Sequence, residues 1–363
     1  MNNKLLTRTL LGVSLASGIT SSIVGLVASN YVLNFKLRDV EVIRRREIKA
    51  KRLDVEAFNA KQPINVTIPS RNGYNLSATV VKPYEHKHWM VFCHGVTENK
   101  ITSIKYLNMF NELGFNGIIF DHRRHGESGG NHSTYGYYEK TDLESVIAFL
   151  KEQYGYDITF GVHGESMGAV TTLLYAGELA NEAAFYVSDC AFSNFARLLT
   201  QIIEQKSSFG SGIVLSALNQ VLKMRTHFSL KQVSPIDVIQ NVEQPILFIH
   251  SKPDVFIPYT HSVDLYNKKR GPKMRWYPEH GGHAASYNVN PISYKNKVEH
   301  FLTTFDLLPP KPGNAQNKAN DKHKIKKRKF QLQVSHNIQI NRDSSLMVHL
   351  IILRILVTSE TGV

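Results

Sequence analysis

The feature that most limits what this chain can become is a turn. A mostly apolar stretch, "DITFGVHG" (157–164), runs without a break into Gly164-Glu165-Ser166-Met167-Gly168 and on into "MGAVTTLLYAGEL", which has the look of a helix. A strand that becomes a helix within five residues has little room for side chains at its two glycines and presents the serine between them at the apex. The G-x-S-x-G pattern is weak alone. Its weight comes from the strand before it and the helix after it, the setting in which a serine hydroxyl stands at the carboxyl end of a parallel sheet.

The rest of the chain supplies such a sheet. "INVTIPSRNGYNLSATVVKP" reads as two strands joined at Asn72-Gly73, a hairpin signal. "WMVFCHG" and "NGIIFD" read as apolar strands, with helical patterns at "SIKYLNMFNELG" and "EKTDLESVIAFLKEQYG". In the second helix Leu143, Val146, Ile147 and Leu150 recur at three- and four-residue spacing. Beyond the turn come strands "AAFYVSD", "PILFIH" and "KMRWYP", helix "THSVDLYNKK", and a last helix from about Tyr287 to Phe305. This alternation predicts an α/β fold, a mostly parallel central sheet with helices on both faces. Residues 193–240 carry helical patterns and no strand, which predicts an inserted helical lid.

The flanks differ from this body. The formal net charge is +13, yet residues 36–52 carry eight Lys/Arg against three Asp/Glu and residues 311–330 eight against Asp321. The body between them is close to neutral, so the basicity suits an anionic lipid surface or cell-wall polymer and gives no specific nucleic-acid signal. Leu10 to Phe35 is a run of 26 residues without a charge, bounded by Lys4 and Arg8 before and Lys36 and Arg38 after. That length predicts a single-pass membrane anchor. A secretory signal cleaved near "VAS" (27–29) and a buried core helix are the other readings. The lean is towards a catalytic domain on the outer face of the cell membrane. The domain organisation expected is a basic N-terminus (1–9), the anchor (10–35), a basic juxtamembrane segment (36–60), the catalytic domain (61–308) and a basic, disordered tail (309–363).

A serine hydroxyl becomes a nucleophile only when a base takes its proton, and the base needs a third group to fix its tautomer. Of sixteen histidines, His283 in "YPEHGGHAASY" lies just past the last strand, among glycines and before a helix. His280 is its rival. His94 and His163 sit at strand ends, where they shape turns. For the acid, Asp254 in "FIHSKPDVFIP" follows strand 245–250 by four residues, and Asp189 at the end of "AAFYVSD" competes with it. No H-E-x-x-H spacing suggests a metal, and no G-x-G-x-x-G follows the first strand. Cys93 and Cys190 lie at the ends of core strands and suggest no disulfide.

The order Ser166, Asp254, His283 is the chain order of one fold in particular. With "CHGVTENK", "FDHRRHGESGG", "HGESMGA", "HSKPDVFIP" and "EHGGHAAS", residues 65 to 306 resemble an α/β-hydrolase. Within that superfamily the chain is similar to bacterial membrane-anchored serine esterases and to the monoglyceride-lipase and serine-aminopeptidase-like branch. The resemblance implies a monomeric serine hydrolase needing no cofactor and cleaving short acyl esters or acylglycerols. It implies an oxyanion hole from the backbone N–H groups of Val96 and Met167. The run His122-Arg123-Arg124-His125 invites a phosphate-site reading, and the resemblance implies a structural role for it instead. Peptide or thioester hydrolysis with the same residues, and a non-catalytic binding protein on this scaffold, are the other readings. Glu165 departs from the histidine that many lipases carry before the serine.

Overall fold

The structure, a computed structural model, describes residues 22–205 and 210–310. Eight strands form one sheet: β1 (Ile64–Pro69), β2 (Asn75–Val81), β3 (His88–Cys93), β4 (Asn116–Phe120), β5 (Thr159–Glu165), β6 (Phe185–Asp189), β7 (Ile246–Ile249) and β8 (Lys273–Trp276). Their spatial order is β1-β2-β4-β3-β5-β6-β7-β8. β1 and β2 form the hairpin read at Asn72-Gly73, where Gly73 takes φ +84°. β2 is antiparallel to β4, and every later pairing is parallel.

The helices are α1 (residues 22–34), α2 (Val40–Lys49), α3 (Val55–Asn59), α4 (Ile104–Glu112), α5 (Glu139–Tyr154), α6 (Met167–Leu174), α7 (Phe195–Glu204), α8 (Ser211–Thr226), α9 (Pro235–Val238), α10 (Thr260–Lys268), α11 (Ser286–Val289) and α12 (Pro291–Thr304). From β3 the chain steps outward through α4 to β4, then returns through α5 to β5 on the other side of β3. The carboxyl ends of β3 and β5 therefore flank the switch point of the sheet, where such folds open a crevice for ligands.

Alternation along the strands divides the core into two faces. Trp89, Val91 and Cys93 of β3 and Ile246 and Phe248 of β7 face a cluster with α5 and α6, while Met90, Phe92, Leu247 and Ile249 face α4 and α12. Both faces are covered, so these strands read as continuous apolar runs. The inserted segment is helical as expected: α7, α8 and α9 lie between β6 and β7, and residues 206–209 within it lie outside the described residues. The single helix expected from about Tyr287 to Phe305 is two, α11 and α12. Pro291 starts α12 and has no N–H with which to continue α11.

The N-terminal segment is packed onto the domain. Of the expected anchor, residues 10–21 lie outside the described residues, as do 1–9 and 311–363 of the expected flanks. Among the described residues no helix is long and apolar enough to cross a membrane. In α1, Ser29, Val32 and Leu33 are buried while Ile23 and Leu26 are exposed. Gly25 permits the contact with α8: a Cβ there would come within 2.6 Å of the Ala217 carbonyl oxygen. Arg225 of α8 donates to Ser29 Oγ at 2.9 Å. A side chain's hydrophobicity does not distinguish lipid from protein as its surroundings, so the apolar run alone left this contact open.

α2 is likewise built in. Asp39 caps its N-terminus by accepting from the N–H groups of Glu41 and Val42. Ile43 and Leu53 enter the α4/α12 face of the core. Glu47, 3% exposed, is held by Arg46 and Arg52. Arg46 also forms a two-pronged pair with Glu98, at 3.0 and 2.6 Å, and Arg38 bonds the same carboxylate. Part of the positive charge of residues 36–52 is thereby directed at the protein itself.

Candidate active site

The turn read from the sequence is sharp. Ser166 follows β5 and precedes α6 with φ +55° and ψ −116°, a conformation rare outside glycine. Its N–H donates to the Asp189 carbonyl at 2.8 Å, which ties the turn to the end of β6. The flanking glycines are sterically required. A Cβ at Gly164 would lie 2.3 Å from the Gly168 carbonyl oxygen, and one at Gly168 would lie 2.0 Å from that of Cys93. Strand and helix approach too closely for any side chain there.

Ser166 Oγ lies 2.8 Å from Nε2 of His283, and Nδ1 of His283 lies 2.7 Å from Oδ2 of Asp254. The loop after β8 carries His283, and the loop after β7 carries Asp254. The other oxygen of Asp254, Oδ1, accepts from the backbone N–H groups of Phe256 and Ile257, both at 2.9 Å. Asp254 is 4% exposed. Burial alone would raise its pKa, but the opposing charge and hydrogen bonds of His283 and His250 outweigh it and hold the carboxyl well below the usual range. Burial likewise opposes charge on His283, and the Asp254 carboxylate overcomes it, so the imidazole pKa lies above its ordinary value.

The rivals stand elsewhere. His280 is exposed, and among the described residues its side chain bonds neither Ser166 nor Asp254; its carbonyl accepts from Asn290 at 3.0 Å. Asp189 is buried, accepts from Ser286 Oγ at 3.3 Å, and is pushed up to about 7 by burial and by the charge of Glu165. It makes no hydrogen bond to His283.

Sequence reasoning passed over His250, which completes the acid's surroundings. Its Nε2 lies 3.1 Å from Asp254 Oδ2 and 2.8 Å from the Ile257 carbonyl, and its Nδ1 lies 2.7 Å from Ser262 Oγ. Two acceptors around Nε2 place the proton there, so Nδ1 accepts from the Ser262 hydroxyl. The available signal was a histidine at a strand end, four residues before the acid.

The turn after β3 faces the nucleophile: a Cβ on Gly95 would lie 3.5 Å from that of Ser166. The N–H groups of Val96 and Met167 have no acceptor among the described residues. His94 shapes this turn, its Nδ1 on the Gly95 carbonyl at 2.8 Å and its Nε2 accepting from the His122 N–H at 2.9 Å. Rings of His122 and His125 pack against it at 4.6 and 5.1 Å. Burial lowers the pKa of His94 to about 4 and that of His125 to about 3, so both serve as neutral packing groups.

Glu165 makes no hydrogen bond to Ser166 or His283. It pairs with Lys105 at 3.0 Å and accepts from the Tyr106 hydroxyl at 2.6 Å, with both charged side chains about 5% exposed. A charge pair so deeply buried is compensated by its hydrogen bonds, and removal of one partner leaves the other stranded. Among the described residues no three His, Cys, Asp or Glu side chains converge as metal ligands would.

Comparison with known proteins agrees with this architecture. The family model described as alpha/beta hydrolase fold matches residues 88–234. The uncharacterized protein YqkD of Bacillus subtilis is 41% identical over 280 residues, covering 77% of this chain and 92% of that protein. The uncharacterized protein YfhR of Escherichia coli is 26% identical over 201 residues, covering 55% of this chain and 64% of its own. Among solved structures, an esterase of Pyrococcus furiosus superposes with a TM-score of 0.57 at 18% identity, over 69% of this chain and 94% of that one, a likeness of fold. The strand order, the turn at Ser166 and these relatives lead to one assignment: the chain belongs to the α/β-hydrolase fold family.

Proposed function

We propose that the protein is a serine hydrolase that cleaves carboxylic esters, short acyl esters or acylglycerols, through an acyl-enzyme. The observation that carries this reading is the continuous hydrogen-bonded path from Ser166 Oγ through His283 to Asp254, on a turn whose glycines cannot be replaced. His283 Nε2 takes the Ser166 proton as Oγ attacks the ester carbonyl, and the N–H groups of Val96 and Met167 receive the developing oxyanion. Asp254 holds the Nδ1 proton and stabilises the imidazolium. His283 then protonates the leaving alcohol, and water, deprotonated by the same nitrogen, releases the acid.

Fluorophosphonate labelling tests this directly. Wild-type protein should be labelled and Ser166→Ala should not; an unlabelled wild type beside a labelled control hydrolase, or equal labelling of the variant, would sink the proposal. A panel of chromogenic esters of increasing chain length then reads the acyl preference. We propose in addition that the N-terminal part of the apolar run, together with the outward face of α1 at Ile23 and Leu26, attaches the protein to the cell membrane with the catalytic domain outside. Protease treatment of intact cells tests this, because a domain that is degraded only after lysis lies inside.

A further inference from the structure

Arg123 has no role in the proposed hydrolysis, and its surroundings are unusual. It is 9% exposed, yet its Nε and Nη1 are buried without a hydrogen-bond partner. Its guanidinium lies between two rings, with centroids of Tyr74 at 5.1 Å and Tyr138 at 4.7 Å. A buried guanidinium with unmet donors is costly unless something accepts from it. The side chain lines a cavity of about 500 Å³ together with Asn72, Tyr74, His132, Tyr138 and Arg225. None of these residues hydrogen-bonds Ser166, Asp254 or His283.

The arginines at this cavity have no carboxylate partner of their own. Among the described residues, no carboxylate forms an ion pair with Arg123, Arg124 or Arg225. The two acids nearby are held by neutral groups behind the cavity wall: Asp142 accepts from Ser70, Asn72 and Tyr74, and Glu139 from Thr134 and the Gly136 N–H. His132 hydrogen-bonds Asn34 Oδ1 through Nδ1 at 2.8 Å. Burial, then the charges of Arg225, Arg123 and Arg124, lower its pKa. Two guanidiniums that line one cavity without an ion-pair partner attract an anion, and arginine's planar fork matches the oxygens of a phosphate.

We propose that this cavity binds a phosphorylated polyol of the glycerol phosphate type, with Arg123 and Arg225 holding the phosphate. The volume exceeds what a bare phosphate fills; the Asn72 amide nitrogen is spent on Tyr138, Thr141 and Asp142, which leaves its oxygen for a hydroxyl, and the tyrosine rings suit the carbons of an organic residue. The same chemistry is offered by a soluble glycerol phosphate and by a phospholipid headgroup. α1 contributes to the wall, since Ser29 holds Arg225 and Asn34 holds His132.

Calorimetric titration of the full chain in neutral detergent, with inorganic phosphate, sn-glycerol 3-phosphate and dihexanoyl phosphatidylglycerol, tests the site. Saturable binding of one equivalent of an organic phosphate is expected, weakened at least tenfold by Arg225→Gln and abolished by Arg123→Gln. Proton resonances of His132 should titrate at higher pH when the ligand is bound. Binding of glycerol 3-phosphate assigns the soluble source, and binding of the lipid alone assigns the headgroup. No saturable binding, or equal affinity in wild type and the variants, overturns the site; inorganic phosphate binding as tightly as the organic phosphates overturns the polyol. Should Arg123→Gln fail to fold, the exposed Arg225 decides. Arg225→Gln should leave the hydrolysis of a short ester unchanged, so this site and the Ser166 assignment fail independently.

Discussion

The geometry around Asp254 makes the outcome of Asp254→Asn specific. Oδ1 accepts two backbone N–H groups, and Oδ2 faces the ring nitrogens of His283 and His250. An asparagine has one oxygen, and the two backbone donors claim it. Its NH₂ then points at His283 Nδ1, which must offer a lone pair, so the His283 proton moves to Nε2 and the ring can no longer accept from Ser166. Turning the amide over would restore the tautomer but orphan two N–H groups at about 1–3 kcal/mol each. With the loss of the charge on the imidazolium's partner, the barrier rises by about 3–6 kcal/mol, or 10²- to 10⁴-fold in rate. The assay is initial-rate hydrolysis of a short nitrophenyl ester, with circular dichroism melts to show that the variant is folded. An Asp254→Asn enzyme within tenfold of wild type would refute the assignment. If Asp189→Asn lost activity instead, the acid would be the rival.

Other consequences are as direct. Because Asp254 raises the His283 pKa, and the imidazole must be neutral to act as base, kcat/KM should rise with pH through a midpoint above about 6.5, the ordinary histidine value; a midpoint below it contradicts the pairing. Gly168→Ala, whose Cβ meets the Cys93 carbonyl at 2.0 Å, should lower Tm by the equivalent of at least 1–3 kcal/mol or prevent folding. Gly212→Ala in α8, where nothing lies within 4 Å, should leave stability unchanged or raise it by about 0.5–1 kcal/mol. Arg46→Gln severs the two-pronged hold on Glu98, two residues beyond Val96. With Arg46 partly exposed, the pair contributes on the order of 1 kcal/mol, so kcat should fall up to about fivefold at unchanged KM; a lower Tm with kcat untouched would make the pair purely structural.

What could be read from the sequence were features that announce themselves locally. The strand, turn and helix around Ser166, the hairpin at Asn72-Gly73 and the strand alternation depend on neighbours along the chain, and each stands where the pattern put it. Asp254 and His283 were singled out by their positions after strands, and the structure brings them beside Ser166 because loops at one end of a parallel sheet converge. The contacts that escaped are those between residues distant in sequence. Nothing in "SIKYLN" says that Lys105 pairs with Glu165 sixty residues on, since a lysine on a helix usually faces water. His250 lacked a signal because its role depends on the fold of the loop that follows it. At "HRRH" the sequence offered a phosphate-site reading beside a structural one but could not divide the run: its histidines pack inward under the β3 turn while Arg123 lies between two tyrosines.

The placement of α1 and α2 bears on how this protein is to be handled. Where an apolar leader is only a tether, it is routinely trimmed away to obtain soluble material. Here the leader's inner half closes over α8, and the stretch after it grips the loop that carries Val96. A cut placed at residue 36 would strip Leu33 from the core, and one at residue 61 would also remove Ile43, Leu53 and the partners of Glu98. Soluble versions should therefore keep residue 22 onward and reduce stickiness by substitution at Ile23 and Leu26, whose side chains face outward.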